Sequence, residues 1–413
     1  MNTKDIFRLS STLMLMLYSI YADAQYCTSD NRFTEVQYFN NSDIKTDSNI
    51  VYGNANDYLG SPEDLIMDIW QPTGPNETLS VRPFILLIHG GGFINGDRSI
   101  MSVECKRFAQ RGYVAATIDY RKGWNSSNPN DGEFVAAYRA QQDAKAALRY
   151  IISNANIYGI DTSWMFMGGI SAGAGTSLNT VFVNEAEWEA TIPGITSVWG
   201  GLDTSGNSLT NTFKIKAVYN VCGITGQFAI QSEDMVPIIS FHGYLDAIAP
   251  IGTTPQGTSG SSVIHDSLVA NGVCSELNVD SLGYHCPHEK EFRINRTVCF
   301  FKSIFCNTCT THYLTDTISA ICSTPPLGIE NLDFKNYKIE IYPNPFNDKF
   351  NVSGELKIFQ IEIINSLGQS VQTVLPSGNL QTIDISNLPC GLYFVKVKRL
   401  NDSYLEVKKI IKQ

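Results

Sequence analysis

The chain is short of positive charge, of long apolar runs and of histidine. Its 30 Lys and Arg are outnumbered by 40 Asp and Glu, giving a formal net charge of −10. That balance repels phosphate backbones and anionic lipid surfaces, so nucleic acid is not an expected partner. The longest apolar stretch near the start, Leu13 to Ile20, is too short to cross about 30 Å of hydrocarbon, and nothing downstream offers a second one. No stable membrane span is expected. With six histidines in all, a search for a general base becomes an elimination. Charged residues make up only 17%, against 43% hydrophobic, which describes an ordinary globular protein; 413 residues could hold two or three domains.

What is present begins with a targeting pattern. Lys4 and Arg8 precede the apolar stretch, and Ala22-Asp23-Ala24 follows it as an A-x-A cleavage site. Residues 1–24 read as a signal peptide, with Gln25 the expected mature N-terminus. Export changes the meaning of the ten cysteines, because an oxidising compartment favours disulfides over zinc thiolates. Cys306-Asn307-Thr308-Cys309 with His312 beyond it imitates a metal cluster, but a fourth ligand is missing. Disulfides among Cys274, Cys286, Cys299, Cys306, Cys309 and Cys322 are the expectation, in a pairing the sequence leaves open. No metal and no organic cofactor is expected.

From Val51 to Cys309 short apolar runs alternate with helical patterns, which predicts an α/β domain: a mostly parallel sheet with helices on both faces. The candidate strands are Leu65 to Trp70, Phe84 to Ile88, Tyr113 to Ile118, Trp164 to Met167, Lys216 to Val221 and Pro237 to Phe241. Ala144, Ala147, Leu148, Ile151 and Ile152 recur at helical spacing and read as core. Asn184 to Thr212 and Gly252 to Ser262 interrupt the alternation, and long irregular insertions of this kind suggest substrate-recognition loops. After Ser323 the texture changes to a Pro-bearing linker, 323–338, and then to apolar/polar alternation that predicts a small all-β domain over 339–413. Residues 25–322 are the expected catalytic domain.

The chemistry centres on Gly169-Ile170-Ser171-Ala172-Gly173, a G-x-S-x-G pentapeptide between an apolar run and a stretch of small residues. Alone it could be a Gly-rich turn with an incidental serine. In a strand, sharp turn, helix context it exposes a strained nucleophile. Upstream, His89-Gly90-Gly91-Gly92-Phe93 ends another apolar run, with His89 expected to brace the loop. An alcohol needs a base, and the base an orienting acid. Of the histidines, His89, His242, His265 and His312 belong to a Gly run, a strand end, a helix and the cysteine cluster. That leaves His285 and His288 in a Gly/Pro-bearing loop. Asp246, just past the strand ending at Phe241, is the candidate acid. His285 is the chosen base, with His288 as the alternative.

The order Ser171, Asp246, His285 is that of the α/β-hydrolase triad. Together with the HGGGF run, Asp119-Tyr120-Arg121, the H-G-x-x-D-x-x-x-P block at His242 to Pro250, and Gly283-Tyr284-His285, it makes the region Val51 to Cys306 resemble the carboxylesterase branch of the α/β-hydrolase superfamily. The resemblance implies a serine ester hydrolase, with Gly91, Gly92 and Ala172 donating backbone N–H groups to the oxyanion. One departure is the second histidine after Leu282-Gly283-Tyr284-His285, where the family pattern is closer to G-x-G-H. A serine peptidase or amidase on the same fold, or a catalytically silent hydrolase fold used for binding, are the competing readings. The C-terminal stretch, through Tyr342-Pro343-Asn344-Pro345-Phe346, Gly391 to Val395 and the terminal Lys408 to Lys412, resembles the sorting domain of type IX secretion substrates. That implies a partner in the type IX machinery and export through the periplasm to the surface or medium; an ester, free or carried on a polymer, is the implied substrate.

Overall fold

The structure is a computed structural model. It describes residues 25–413 apart from 126, 129, 130, 227–234, 255, 256, 317–321, 323–339, 354–357, 366–369, 377–379 and 400–404. The expected signal peptide and linker both lie outside the described residues. The chain divides into two compact units, Met1–Pro326 and Leu327–Gln413.

The first unit is built on a nine-stranded sheet. Its strands in chain order are β1 (Ile44–Asn56), β2 (Pro62–Pro72), β3 (Arg82–Ile88), β4 (Val114–Ile118), β5 (Ile160–Ile170), β6 (Ile215–Val221), β7 (Ile238–Gly243), β8 (Ser275–Asp280) and β9 (His312–Thr315). The spatial order is β1-β2-β4-β3-β5-β6-β7-β8-β9. Antiparallel pairing is confined to β1 with β2 and β2 with β4; β4 to β9 run parallel. Among the described residues, the α-helices of five or more residues are α1 (Ser102–Gln110), α2 (Glu133–Ser153), α3 (Ala172–Phe182), α4 (Glu185–Thr191), α5 (Ile195–Trp199), α6 (Ser261–Ala270) and α7 (Lys290–Phe305).

Continuous apolar strands bury both faces, as a parallel sheet between helices requires. Alternate residues go to opposite cores. Phe84, Leu86 and Ile88 join Val114, Met165 and Met167 on one side, where Ala140, Ala144, Leu148 and Ile151 of α2 and Leu178 of α3 close over them. Ile85 and Leu87 join Trp164 and Phe166 on the other, under Phe108 of α1 and Val298, Phe301 and Phe305 of α7. The six expected strands all appear, with ends moved by a few residues. β1, β8 and β9 were not anticipated.

Asn184 to Thr212, an expected substrate-recognition segment, packs one side on the sheet's helical cover. It contains α4 and α5 and is tied to α2: Trp188 Nε1 donates to Gln141 Oε1 at 2.5 Å, Gln142 Nε2 donates to the Trp199 and Gly200 carbonyls, and Arg149 Nη2 donates to the Ser205 carbonyl. Gly252 to Ser262 folds back on itself through the Thr253 and Ser259 bridge and leads into α6.

Four disulfides join Cys27 to Cys306, Cys222 to Cys286, Cys274 to Cys309 and Cys299 to Cys322. All six expected cysteines are bonded, but two of their partners, Cys27 and Cys222, lay outside the anticipated group. Cys306 and Cys309 sit in different disulfides, which removes the imitation metal cluster.

The second unit holds two antiparallel sheets around Phe346, Phe350, Val352, Ile361, Ile363, Ile383, Val395, Val397 and Ile410. One sheet combines Glu340–Tyr342, Lys349–Ser353 and Leu380–Asp384; the other combines Ile358–Asn365, Ser370–Val374, Gly391–Arg399 and Leu405–Lys412. Lys412 at the end of the last strand turns its Nζ inward, onto the carbonyls of Ile385, Ser386 and Leu388.

Candidate active site

β5 ends where α3 begins, and Ser171 is the residue between them. Its φ of 54° and ψ of −120° is a conformation that non-glycine residues rarely take. Such strain persists only where the surroundings over-determine it. Here the neighbouring backbone does so: a Cβ on Gly173 would lie 2.1 Å from the Ile88 carbonyl oxygen, and one on Gly169 would lie 2.3 Å from the same atom. The two glycines of the pentapeptide thus let the end of β3 press against the turn, and the Ser171 N–H is fixed to the Val221 carbonyl at 2.8 Å.

The hydroxyl that this turn presents meets a histidine. Ser171 Oγ lies 2.8 Å from His285 Nε2, and His285 Nδ1 lies 2.7 Å from Asp246 Oδ2. A carboxylate only accepts, so Nδ1 carries the proton and Nε2 is free to accept from the serine. Asp246 is buried, and its other oxygen, Oδ1, accepts the N–H groups of Ile248 and Ala249, each at 2.9 Å. Burial raises the Asp246 carboxyl, but hydrogen bonds from His242, Ala249 and His285 outweigh it and hold the group well below the usual carboxylate range.

The glycine run lies beside Ser171. Gly90 is so close that a Cβ on it would stand 3.2 Å from the Ser171 Cβ. Gly91 has φ of 124°, and its carbonyl accepts the N–H groups of Ile94 and Asn95, which closes the loop into a turn. A Cβ there would overlap the Asn95 carbonyl at 2.0 Å. Gly92 follows with φ of 60°, and Ala172 is the first residue of α3, whose amide has no partner inside the helix. His89 is fully buried; its Nδ1 donates to the Gly90 carbonyl at 2.7 Å and its ring stacks on Tyr120 at 4.4 Å. Of the DYR residues, Asp119 pairs with Arg98, and Arg121 is buried against Asp143 at 2.7 Å.

The other histidines lie elsewhere. His288, the alternative base, stacks on Phe292 and meets the edge of Phe241, its pKa pushed down to about 4 chiefly by burial. Its Nδ1 is buried without a hydrogen-bond partner. His265 bonds Ser275, and His312 bonds Thr310. His242, set aside in the elimination, reaches Asp246. Its Nε2 donates to the Ala249 carbonyl at 2.7 Å and lies 3.4 Å from Asp246 Oδ2, while Nδ1 meets Ser261 Oγ at 2.7 Å. Ser261 in turn accepts from Asn220 Nδ2 at 3.0 Å. The only hint of this in the sequence was the four-residue spacing of His242 and Asp246.

Two groups of possible metal ligands fall close together, Cys222, His285 and Cys286, and Glu35, Cys299 and Cys322. In each, the two cysteines are joined as a disulfide, which leaves no thiolate for a metal.

Residues 67–252 match the family model BD-FAE, and residues 340–413 match the secretion system C-terminal sorting domain. Among curated relatives, the esterase LipC of Mycobacterium tuberculosis is 26% identical over 154 residues, 36% of this chain and 33% of that protein. A probable isoprenylcysteine alpha-carbonyl methylesterase of rice is 26% identical over 238 residues, 51% of this chain and 52% of that protein. The chain thus spans about half or less of the length of these relatives. Among solved structures, esterase 2 of Thermogutta terrifontis aligns at 18% identity with a TM-score of 0.47, over 65% of this chain and 97% of that one. The first domain is thus similar to esterases over part of their length, and the second to secretion system C-terminal sorting domains. Among the described residues, no helix is long and apolar enough to cross a membrane.

Proposed function

We propose that the chain is an exported serine carboxylic-ester hydrolase that works through Ser171, His285 and Asp246 and an acyl-enzyme. The observation that carries this reading is the unbroken relay from Ser171 Oγ through both His285 nitrogens to Asp246. His285 Nε2 takes the hydroxyl proton as Ser171 Oγ attacks the ester carbonyl. Asp246 holds the tautomer and stabilises the imidazolium that forms. The N–H groups of Gly91, Gly92 and Ala172 receive the oxyanion, where each donor is worth about 2.7–4 kcal/mol of transition-state stabilisation.

Collapse of the tetrahedral intermediate expels the alcohol, which takes its proton from His285. Water then attacks the acyl-enzyme, gives its proton to His285, and releases the acid with Ser171 restored. The substrate is an ester, small or carried on a polymer. Recognition of the C-terminal domain by the type IX machinery moves the enzyme from the periplasm to the cell surface or medium, where that ester is met.

The reading is tested on purified protein with short p-nitrophenyl esters. Wild type is expected to hydrolyse them, and Ser171→Ala to lose on the order of 10⁴-fold or more in kcat. Absence of hydrolysis by wild type, across acyl lengths, counts against an esterase.

A further inference from the structure

The base sits on residues 281–289, a loop between β8 and α7 that forms neither helix nor strand. An imidazole on such a loop needs something to fix its position to a few tenths of an ångström relative to the nucleophile. Its two ring hydrogen bonds do part of this. The remainder comes from Cys286, the very next residue, which is bonded to Cys222.

Cys222 is the first residue past β6 and is fully buried. It is anchored on both sides. Its own N–H is bonded to the Phe241 carbonyl of β7 at 2.8 Å, and the residue before it, Val221, accepts the Ser171 N–H at 2.8 Å. The cross-link therefore runs from the base loop to the same strand end that holds the nucleophile's backbone. Cys222 Sγ lies 4.0 Å from His285 Nε2, the nitrogen that faces Ser171. Both cysteines have left-handed backbone, with φ of 48° and 53°, a conformation that is costly for non-glycine residues and marks loops shaped by their surroundings.

We propose that the Cys222–Cys286 disulfide is a positioning element of the active site, holding His285 over Ser171, rather than a staple for the fold. The inference rests on the triad reading above. It separates this bond from Cys274–Cys309, which joins the segment before β8 to the one before β9 and involves none of the triad residues.

The test compares two double variants of the full chain, Cys222→Ala/Cys286→Ala and Cys274→Ala/Cys309→Ala. Three quantities are measured at 25 °C: kcat and KM on p-nitrophenyl butyrate, the melting temperature, and the low-field proton resonance of His285 Nδ1, assigned by its loss in His285→Gln. In the first variant kcat is expected to fall about 10- to 100-fold with KM within threefold, and the resonance to broaden or vanish well below its melting temperature. The second variant is expected to keep kcat within twofold and to keep the resonance. The inference is overturned if the first variant keeps both readouts, or if both variants lose them equally. If wild type hydrolyses no ester while the resonance still follows the Cys222–Cys286 bond, the esterase reading fails and the positioning role stands.

Discussion

His242 brings its Nε2 to within 3.4 Å of the same Asp246 oxygen that His285 Nδ1 contacts at 2.7 Å. Two imidazoles thus converge on one carboxylate, one reaching toward the nucleophile and the other toward the buried Ser261 and Asn220. The acid is held by strand β7 as well as by its own loop. His242→Leu is expected to lower kcat about tenfold with KM little changed, because the Ala249 carbonyl and Asp246 lose a shared donor. Unchanged kcat in a variant with a normal melt would show that the Asp246 loop holds itself.

Asp246→Asn keeps the shape of the acid but offers His285 the wrong tautomer partner, so kcat is expected to fall on the order of 10⁴-fold. The same variant tests a linkage. A carboxyl held below its unfolded value, about 3.9, adds stability above that pH and loses it as pH falls through the lower folded value. The stability difference between wild type and Asp246→Asn, from urea midpoints, is therefore expected to be constant from pH 7 to about 5 and to shrink only below about pH 4. A difference that already fades between pH 7 and 5 would mean that Asp246 is not held in this way.

His288 adds an acid sensitivity of the same sign in a higher pH window. Its folded pKa is pushed down to about 4, while the unfolded chain takes up the proton near 6.5. Its penalty is absent above about pH 6.5 and grows as pH falls toward 4, where the folded state also begins to protonate. His288→Phe is expected to keep kcat within threefold at pH 8 and to flatten the loss of stability between pH 6.5 and 4, measured by denaturant titration. A 10³-fold loss of kcat would instead make His288 the base.

The glycine loop offers a contrast between two neighbours. Gly91→Ala puts a Cβ into the Asn95 carbonyl, whereas the site of a Cβ on Gly92 is open space and only its φ of 60° opposes substitution. Gly91→Ala is expected to lose about 10²- to 10³-fold in kcat by displacing an oxyanion donor. Gly92→Ala is expected to fold at a cost of about 1 kcal/mol, read as a small drop in melting temperature. Equal effects of the two would disconnect the loop's geometry from catalysis.

Most of the central sheet was legible because β2 to β7 are apolar runs buried on both faces. β8 was missed because its sequence, Ser-Glu-Leu-Asn-Val-Asp, is polar at alternate positions. Those polar side chains are buried all the same: Glu276 is bound by Arg296 at 2.6 and 2.9 Å, and Asn278 donates to Glu276. Propensity cannot see a strand whose burial depends on a partner twenty residues away. β1 escaped for another reason, since its exposed polar alternation, Ile-Lys-Thr-Asp-Ser-Asn, resembles a loop. The meeting of Ser171, Asp246 and His285 was readable from chain order and local context. The contacts of His242 with Asp246 and of Cys222 with Cys286 were not, because each is made across strand ends.

The central claim is that Ser171 is the nucleophile, and covalent labelling addresses it most directly. Purified protein is treated with an organophosphonate ester, and the adduct is located by peptide mass spectrometry alongside residual hydrolysis. The account predicts one phosphonyl group per chain on Ser171, loss of activity in step with labelling, and no adduct in Ser171→Ala. Labelling at another residue, or ester hydrolysis that survives in Ser171→Ala, would contradict it.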